Sequence, residues 1–244
     1  MRKEDLSEFM ADAGLVKLIE AVKVSDDMLD VVELTENQHS DMLAWCLNPN
    51  EGHAQGDAVL KDLLIAAFAK GAACTYDNKK FFAEWTPARI RRTSFGSAFV
   101  SREFQISLPD MRRGRLDLFV VDPQNKILVV IENKVGASLT AGQLSGYWHR
   151  AKQDIGGRRA FQDFAFVFIV LDREIDGYTE ESLSELGTKW CLLDYSWLEA
   201  SAERARHHLA RHNQAAQLLM SYCQKQTAWE SVADHEILIR QQIT

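Results

Sequence analysis

Charged side chains stand on two apolar strands near the middle of the chain. Asp117 lies in the segment GRLDLFVVD, and Glu132, Asn133 and Lys134 end the segment KILVVIENK. The Val, Ile, Leu and Phe around them are typical of buried strands, where a charge is costly unless it is paired. Two close carboxylates in such a place repel each other until a cation neutralises them, so this set of groups suits a divalent metal ion.

The ligand types favour one kind of metal. Oxygen ligands that leave coordination positions open to water and phosphate suit Mg²⁺, with Mn²⁺ as a substitute, better than Zn²⁺, which prefers His and Cys. Lys134 could orient a metal-bound water or offset charge on a phosphate, and the whole set would support phosphodiester hydrolysis. The alternative is a structural ion cluster in which Asp117 pairs with Arg115 or Lys134.

A tight hairpin is the element that must bring these groups together. Strand-forming residues run over 115–121 and 126–134, and the segment between them, Asp122-Pro123-Gln124-Asn125, is typical of a turn. A turn centred on its two middle residues would pair Val121 with Lys126. The pattern therefore predicts two antiparallel strands with a defined register.

That register decides which face of the sheet each charged group occupies. It sets Asp117 opposite Val130 and Arg115 opposite Glu132. Because side chains alternate along a strand, Asp117, Glu132 and Lys134 would all point to one side. The two carboxylates become diagonal neighbours with backbone separations of about 7–8 Å, a gap that inward-leaning side chains can close around one cation.

A helix is predicted upstream of the hairpin. Leu43, Cys46 and Leu47 repeat at helical spacing, Asn48-Pro49 would end the helix, and Thr35 suits its N-cap. Glu36 would then lie in the first turn. An acidic side chain there is also explained by its favourable interaction with the helix dipole, so two interpretations of Glu36 stay open.

Together these motifs resemble the PD-(D/E)XK nuclease superfamily. The resemblance rests on Asp117, on Glu132-Asn133-Lys134 and on Gln143 in a following helix. Upstream, ENQHSDMLAWCLNPN at 36–50 and HAQG at 53–56 are similar to the E…HS…LAW opening of one uncharacterised branch of that superfamily. The Pro of the PD pair is replaced by Leu116. The resemblance covers about residues 30–172, and the C-terminal third matches only loosely.

The resemblance implies an α/β, restriction-endonuclease-like fold with an αβββαβ core, a mixed central sheet flanked by helices, and extra C-terminal helices. Lys134 would position or activate the nucleophile, and Gln143 would contact the catalytic centre or a phosphate. The metal ligands that the resemblance implies are Asp117, Glu132, the main-chain carbonyl of Asn133 and, in support, Glu36.

Gln143 has a second explanation that owes nothing to the resemblance. Thr140-Ala141-Gly142-Gln143 fits a capping box, in which Gln143 would reach back to cap its own helix. Leu144, Tyr147 and Trp148 mark one apolar face of that helix, and the two aromatic residues are predicted to be core. The capping role and the active-site role of Gln143 both stay open.

The remaining elements follow from hydrophobic patterns. Strands are predicted over 99–106, 164–171 and 189–193, and helices near 57–70, 196–210 and 213–225. The run over 164–171 is continuously apolar, as in a central strand buried on both faces. Glu103 in the first strand is a weaker candidate for the acidic site. We expect one domain over residues 1–244, with a core over about 30–195 and a helical appendage over 196–244.

The charge is uneven along the chain. The net charge is -7, but residues 86–160 hold 13 Lys and Arg against 6 Asp and Glu, which leaves 15 against 29 elsewhere. This basic zone suits a phosphate backbone, although a solvated surface has the same composition. The zone contains Arg89, Arg91, Arg92, Arg158 and Arg159. The side chains expected to contact nucleic acid are Arg112, Arg113, Arg115, Arg150 and Lys152.

The combined expectation is an Mg²⁺-dependent endonuclease that cleaves DNA in restriction, repair or phage defence. The alternatives are an RNA-directed nuclease and a non-catalytic module that binds nucleic acid or protein on a nuclease fold. The start MRKEDLSEFM lacks the apolar core of a secretory signal, so a cytoplasmic location without a membrane segment is expected. Four distant Cys predict reduced thiols and no zinc site. Many relatives are dimers, but no interface signature for a homodimer is visible.

Overall fold

A five-stranded mixed sheet forms the centre of the fold. The computed structural model describes residues 29, 34–71, 78–107, 113–134, 142–209 and 211–227. The strands are β1 (Phe99–Ser107), β2 (Arg113–Asp122), β3 (Ile127–Lys134), β4 (Ala165–Asp172) and β5 (Cys191–Leu193). They lie in the order β1-β2-β3-β4-β5. The first three are antiparallel neighbours, and β3, β4 and β5 run parallel, so the predicted α/β fold with a mixed sheet is confirmed.

Helices flank this sheet. They are α1 (Glu36–Leu47), α2 (Ala58–Lys70), α3 (Lys79–Glu84), α4 (Pro87–Arg92), α5 (Gln143–Arg150), α6 (Glu180–Leu186), α7 (Leu198–Leu209) and α8 (Gln214–Thr227). A π-helical turn, Ala151–Ile155, continues α5. The helices predicted near 57–70, 196–210 and 213–225 are therefore confirmed as α2, α7 and α8. Within the described residues, no helix is long and apolar enough to cross a membrane.

The elements between Leu34 and Thr227 belong to one compact unit. The ends of the chain fall outside that unit, and the single domain over 1–244 stays a prediction. Cys46, Cys191 and Cys223 are buried free thiols, as expected, and Cys74 lies outside the described residues.

Helix α1 begins and ends where the sequence predicts. Thr35 is the N-cap, and it exchanges hydrogen bonds with Gln38 in a capping box, while Asn48 is the C-cap. Leu43 and Leu47 are among the buried residues of the helix, which explains their helical spacing. Glu36 lies exposed in the first turn.

The hairpin of β2 and β3 has a different register from the predicted one. Asp122 pairs with Ile127, and Val130 pairs with Phe119 rather than with Asp117. The loop keeps its predicted length of four residues but is displaced by one position, so each strand residue meets a partner two positions further along. Continued one step beyond the last pair, Leu118 with Ile131, this register would set Asp117 opposite Glu132. A shift of two residues preserves the faces, so Asp117, Glu132 and Lys134 still share one side.

Asp122 explains this displacement. Its fully buried carboxylate accepts hydrogen bonds from the Ser97 hydroxyl at 2.6 Å and from the Asn125 main-chain and side-chain N–H groups at 2.9 Å each. These bonds draw Asp122 into the strand and leave Lys126 to complete the turn with a left-handed φ of 53°. The register that aligns the acidic pair is therefore set at the far end of the hairpin.

Replacing Asp122 with alanine is expected to destabilise the protein by about 2–3 kcal/mol, because the partly buried donors of Ser97 and Asn125 lose their acceptor. Urea denaturation measures the change. Gln124→Ala, at the exposed tip of the same turn, should change the free energy of unfolding by less than about 0.5 kcal/mol. Equal effects of the two substitutions would contradict this role of Asp122.

The sheet is covered on both faces. On one face, Phe119 of β2, Val130 of β3 and Phe168 of β4 pack with Leu144 of α5 and with Ile155 of the π-helical turn. Helix α1 contacts the first three strands. Every residue of β4 is buried, which confirms the prediction of a central strand covered on both sides.

Candidate active site

Two carboxylates and an amine meet where β2 and β3 lie side by side. Glu132 and Lys134 are buried, with only 2% and 7% of their surface exposed, and Asp117 is half-buried. The Lys134 Nζ lies 2.9 Å from Glu132 Oε1. The main-chain N–H of Asn133 donates a hydrogen bond of 2.8 Å to Asp117 Oδ2. The structure therefore brings together the three charged groups that the alternation pattern placed on one face.

Burial makes these two carboxyl groups weak acids, and for Glu132 the nearby charge of Asp117 adds to the effect. Burial, followed by the charge of Asp117, raises the pKa of Glu132 to about 8. Burial also raises the pKa of Asp117, against the opposing effect of its bond from the Asn133 N–H. For Lys134, burial disfavours the ammonium form, but the Glu132 carboxylate and other nearby negative charges raise the pKa. At neutral pH the pair therefore keeps a proton that a bound cation would displace.

One oxygen of the acidic pair indicates that the pair could hold a divalent cation. Among the described residues, the buried Glu132 Oε2 has no hydrogen-bond donor. The proton that the pair keeps can lie between this oxygen and Asp117, and a hard cation between the two carboxylates would take its place as the partner. The side-chain atoms of the pair that could ligate the ion are all oxygens, which suits Mg²⁺ or Mn²⁺ and not Zn²⁺.

Glu36 stands apart from the pair. Within the described ranges, no three His, Cys, Asp or Glu side chains are grouped so that they could hold a metal ion. The Glu36 charge nevertheless contributes to the raised pKa of Lys134, so this carboxylate lies within electrostatic reach of the amine. Glu36, the supporting metal ligand that the resemblance implies, therefore lies exposed at the start of α1 and is not grouped with Asp117 and Glu132 in this structure.

Gln143 faces the acidic pair and does not cap its helix. Helix α5 begins at Gln143 itself, its N-cap is Gly142 with a φ of 77°, and no side-chain capping bond is formed. The capping alternative is therefore wrong, because a left-handed glycine starts the helix; Thr140 lies outside the described residues. Gln143 Nε2 instead donates a hydrogen bond of 2.7 Å to Glu132 Oε1.

Tyr147 also belongs to the site, although the sequence pattern predicted only a core position. Its hydroxyl lies 3.3 Å from Gln143 Nε2, and the ring packs partly buried against the core. Burial and the nearby Glu132 charge raise its pKa. The spacing of four residues between Gln143 and Tyr147, which puts two side chains on one helix face, is the signal that could have revealed it.

Asp172 is a second residue that the sequence pattern missed. It ends β4, its register partner is Lys134, and it is buried. Its carboxylate accepts hydrogen bonds from the Tyr178 hydroxyl at 2.8 Å and from the Glu174 N–H at 3.0 Å. Its position at the carboxyl end of a parallel strand is the signal that marks it, since such strand ends collect polar side chains.

The basic side chains expected to contact nucleic acid have intrachain contacts. Arg115 is exposed and lies 2.8 Å from Glu103, so Glu103 pairs with this arginine and does not join the acidic pair. Arg150 approaches Asp154 at 3.9 Å, and its buried Nε has no hydrogen-bond acceptor among the described residues. The Lys152 amine lies 4.4 Å from the centre of the Phe166 ring. Arg112 and the side chain of Arg113 lie outside the described residues.

The basic zone of the sequence divides between the two ends of the sheet. Helix α4 carries Arg89, Arg91 and Arg92 and is followed by Ser94, whose carbonyl accepts a 2.7 Å hydrogen bond from Asn125 in the hairpin loop. These arginines therefore lie toward the hairpin loop, while Glu132 and Lys134 lie at the opposite end of β3. Sequence proximity does not place the three arginines around the acidic pair.

A mixed sheet with an acidic pair and a lysine on adjacent central strands, followed by a helix that faces the pair, defines the restriction-endonuclease-like class of folds. The chain belongs to the PD-(D/E)XK nuclease superfamily, because the model of a family of that superfamily matches residues 26–224. The match includes α7 and most of α8, so it extends well beyond the segment 30–172 that carried the resemblance. No curated protein and no solved structure matches the chain significantly.

Proposed function

We propose that the protein is a divalent-metal-dependent nuclease that hydrolyses phosphodiester bonds in DNA. The observation that carries the proposal is the buried Glu132 oxygen without a donor, set opposite Asp117 and beside Lys134. Mg²⁺, or Mn²⁺ in its place, would be held by Asp117 and Glu132 with the main-chain carbonyl of Asn133. When bound, it would supply Lewis-acid stabilisation of the phosphate and make an attacking water more acidic.

The protein's own groups then have distinct tasks. Asp117 is oriented by the Asn133 N–H, and Glu132 is oriented by Gln143 and Lys134. The Lys134 ammonium would orient the attacking water and offset the negative charge that grows on the phosphate. Glu36 would support the charge balance at the amine. Burial of Glu132 and Lys134 keeps bulk water from the contact between them, so this interaction acts in a medium of low polarity.

Substrate contacts and biological setting complete the proposal. Arg115 is exposed, and a DNA phosphate could replace Glu103 as its partner without exposing a buried charge. Arg112, Arg113, Arg150 and Lys152 are proposed to hold the backbone as well. We infer an endonuclease of restriction, repair or phage defence that acts in the cytoplasm, with a homodimer as the form that would cut both strands.

Cleavage assays with a panel of metals and substrates test this function. Closed circular plasmid, single-stranded DNA and RNA are incubated with Mg²⁺, Mn²⁺ or a chelator. We expect nicking of the closed plasmid with either metal and none with the chelator. Nicking requires an internal cut, so it also separates an endonuclease from an exonuclease.

The same panel separates the competing functions. A non-catalytic binding module would retain DNA in chelator and cleave nothing with either metal, which would contradict the proposal. Cleavage of RNA alone would move the substrate class from DNA to RNA. A parallel preparation of Asp117→Ala controls for contaminating nucleases, since these would cut equally well in both samples.

A further inference from the structure

A buried asparagine lies behind the acidic pair, on the opposite face of β3. The Asn133 side chain is fully buried, and its Nδ2 donates a hydrogen bond of 2.9 Å to the Ser40 hydroxyl of α1. Its Oδ1 accepts a hydrogen bond from the hydroxyl of Tyr195, which lies between β5 and α7. Ser40 and Tyr195 are themselves buried. Both ends of the amide are therefore held by elements remote in the chain.

The position of Asn133 ties this amide to the site. Glu132 and Lys134 precede and follow it, so alternation sends their side chains to the face opposite its own. Its main-chain N–H donates the bond that holds Asp117. Fixing the Asn133 side chain therefore fixes the depth and orientation of all three charged groups.

The neighbours of Asn133 indicate that this polar contact is specific to the strand end. Earlier residues on the same face of β3, Val129 and Ile131, are apolar and buried, and the β4 partner of Asn133 is Leu171. An apolar residue at 133 would fill this layer without the desolvation cost of an amide. A fully bonded polar group in such a place confers a single orientation, which a metal site requires and ordinary packing does not.

We propose that Tyr195 and Ser40 are positioning residues of the metal site, acting through Asn133 on Asp117, Glu132 and Lys134. The proposal rests on the proposed metal-dependent nuclease function. Tyr195 is expected to have the larger effect on the orientation of Asn133, because its hydroxyl supplies the donor to the buried Oδ1.

The test compares Tyr195→Phe with Tyr222→Phe. Tyr222 is an equally buried tyrosine of α8, and its hydroxyl donates to the His39 carbonyl at 3.3 Å rather than to Asn133. Calorimetric titration with Mn²⁺ measures the metal affinity of each full-length variant without any turnover. We expect Tyr195→Phe to bind Mn²⁺ about 10–100-fold more weakly than wild type, and Tyr222→Phe to stay within about twofold.

Cleavage kinetics give the second measurement. At saturating Mn²⁺, Tyr195→Phe should lower kcat and leave the KM for DNA unchanged, because the displaced groups act on the phosphate under attack and not on backbone binding. Thermal unfolding of both tyrosine variants shows whether a loss of stability alone explains the result. Ser40→Ala is a smaller change at the other end of the amide and should also weaken Mn²⁺ binding. It serves as the test if Tyr195→Phe fails to fold.

The outcomes separate this proposal from the proposed function. Wild-type cleavage together with unchanged Mn²⁺ affinity and kcat in both Tyr195→Phe and Ser40→Ala overturns the positioning role and leaves the nuclease function standing. Equal losses in Tyr195→Phe and Tyr222→Phe also overturn it, since they trace the effect to stability. A wild-type protein that neither binds Mn²⁺ nor cleaves DNA overturns the nuclease function and the positioning role with it.

Discussion

Alanine at Lys134 is expected to reduce the DNA cleavage rate by roughly 10²–10³-fold, and alanine at Asp117 is expected to abolish cleavage, with the fold intact in both proteins. Lys134→Ala removes the amine 2.9 Å from Glu132 Oε1 and with it the positive charge available to the phosphate. Asp117→Ala removes half of the acidic pair. Single-turnover cleavage with saturating Mg²⁺ measures both losses, and circular dichroism checks the fold.

The chain offers a matched control pair at the other end of β3 and β4. Lys126 and Asp163 form an exposed ion pair of 3.2 Å near the hairpin loop. Lys126→Ala and Asp163→Ala change the net charge of the protein as Lys134→Ala and Asp117→Ala do. Because exposed ion pairs contribute little, both controls should leave the cleavage rate within about twofold of wild type. Unchanged cleavage by both Lys134→Ala and Asp117→Ala would contradict the assigned roles.

Local patterns were sufficient to predict most of the fold. The apolar run over 164–171 became β4, Thr35 and Asn48 became the caps of α1, and alternation placed Glu132 and Lys134 on one face of β3. Each of these signals depends on neighbours within a few residues. Predictions from such signals agree with the structure where the tertiary contacts favour the same conformation as the local sequence.

The details that failed depend on distant contacts. The hairpin register follows from the bond between Asp122 and Ser97, which lie 25 positions apart in the chain. The sequence shows a turn there but not the buried acceptor that displaces it. Because the displacement equals two residues per pair, the predicted face was right although the predicted partner of Asp117 was wrong.

The surroundings of the acidic pair were equally hidden from sequence reasoning. Tyr195 contacts Asn133 from 62 positions away in the chain, and Asp172 lies beside Lys134 only because β4 pairs with β3. Gln143 had two explanations that local spacing could not separate. The left-handed Gly142 settles the choice, since it starts the helix one residue before Gln143 and leaves that side chain free to turn to Glu132.

Replacing Glu132 with glutamine is expected to abolish metal binding and to stabilise the metal-free protein at alkaline pH. The pKa of Glu132 is raised from an ordinary 4.5 to about 8 in the folded protein, chiefly by burial. Between these values the folded protein holds a proton that the unfolded chain has released. The free energy of unfolding of the metal-free wild type should therefore fall as pH rises through this window, by at most about 1.4 kcal/mol per pH unit.

Glutamine cannot ionise, so Glu132→Gln should lack this loss of stability while its amide oxygen can still accept from Lys134 and Gln143. Thermal unfolding in chelator at pH 5 and pH 8.5 measures the difference, and the variant should exceed the wild type only at the higher pH. Added Mn²⁺ should raise the Tm of the wild type, more strongly at pH 8.5 because less proton must be displaced, and should leave the variant unchanged. Glu103→Gln, an exposed carboxylate on β1, should respond to Mn²⁺ as the wild type does. The glutamine of the variant carries no negative charge to attract the ion. A metal-induced rise in Tm in Glu132→Gln equal to that of the wild type would therefore exclude Glu132 as a ligand.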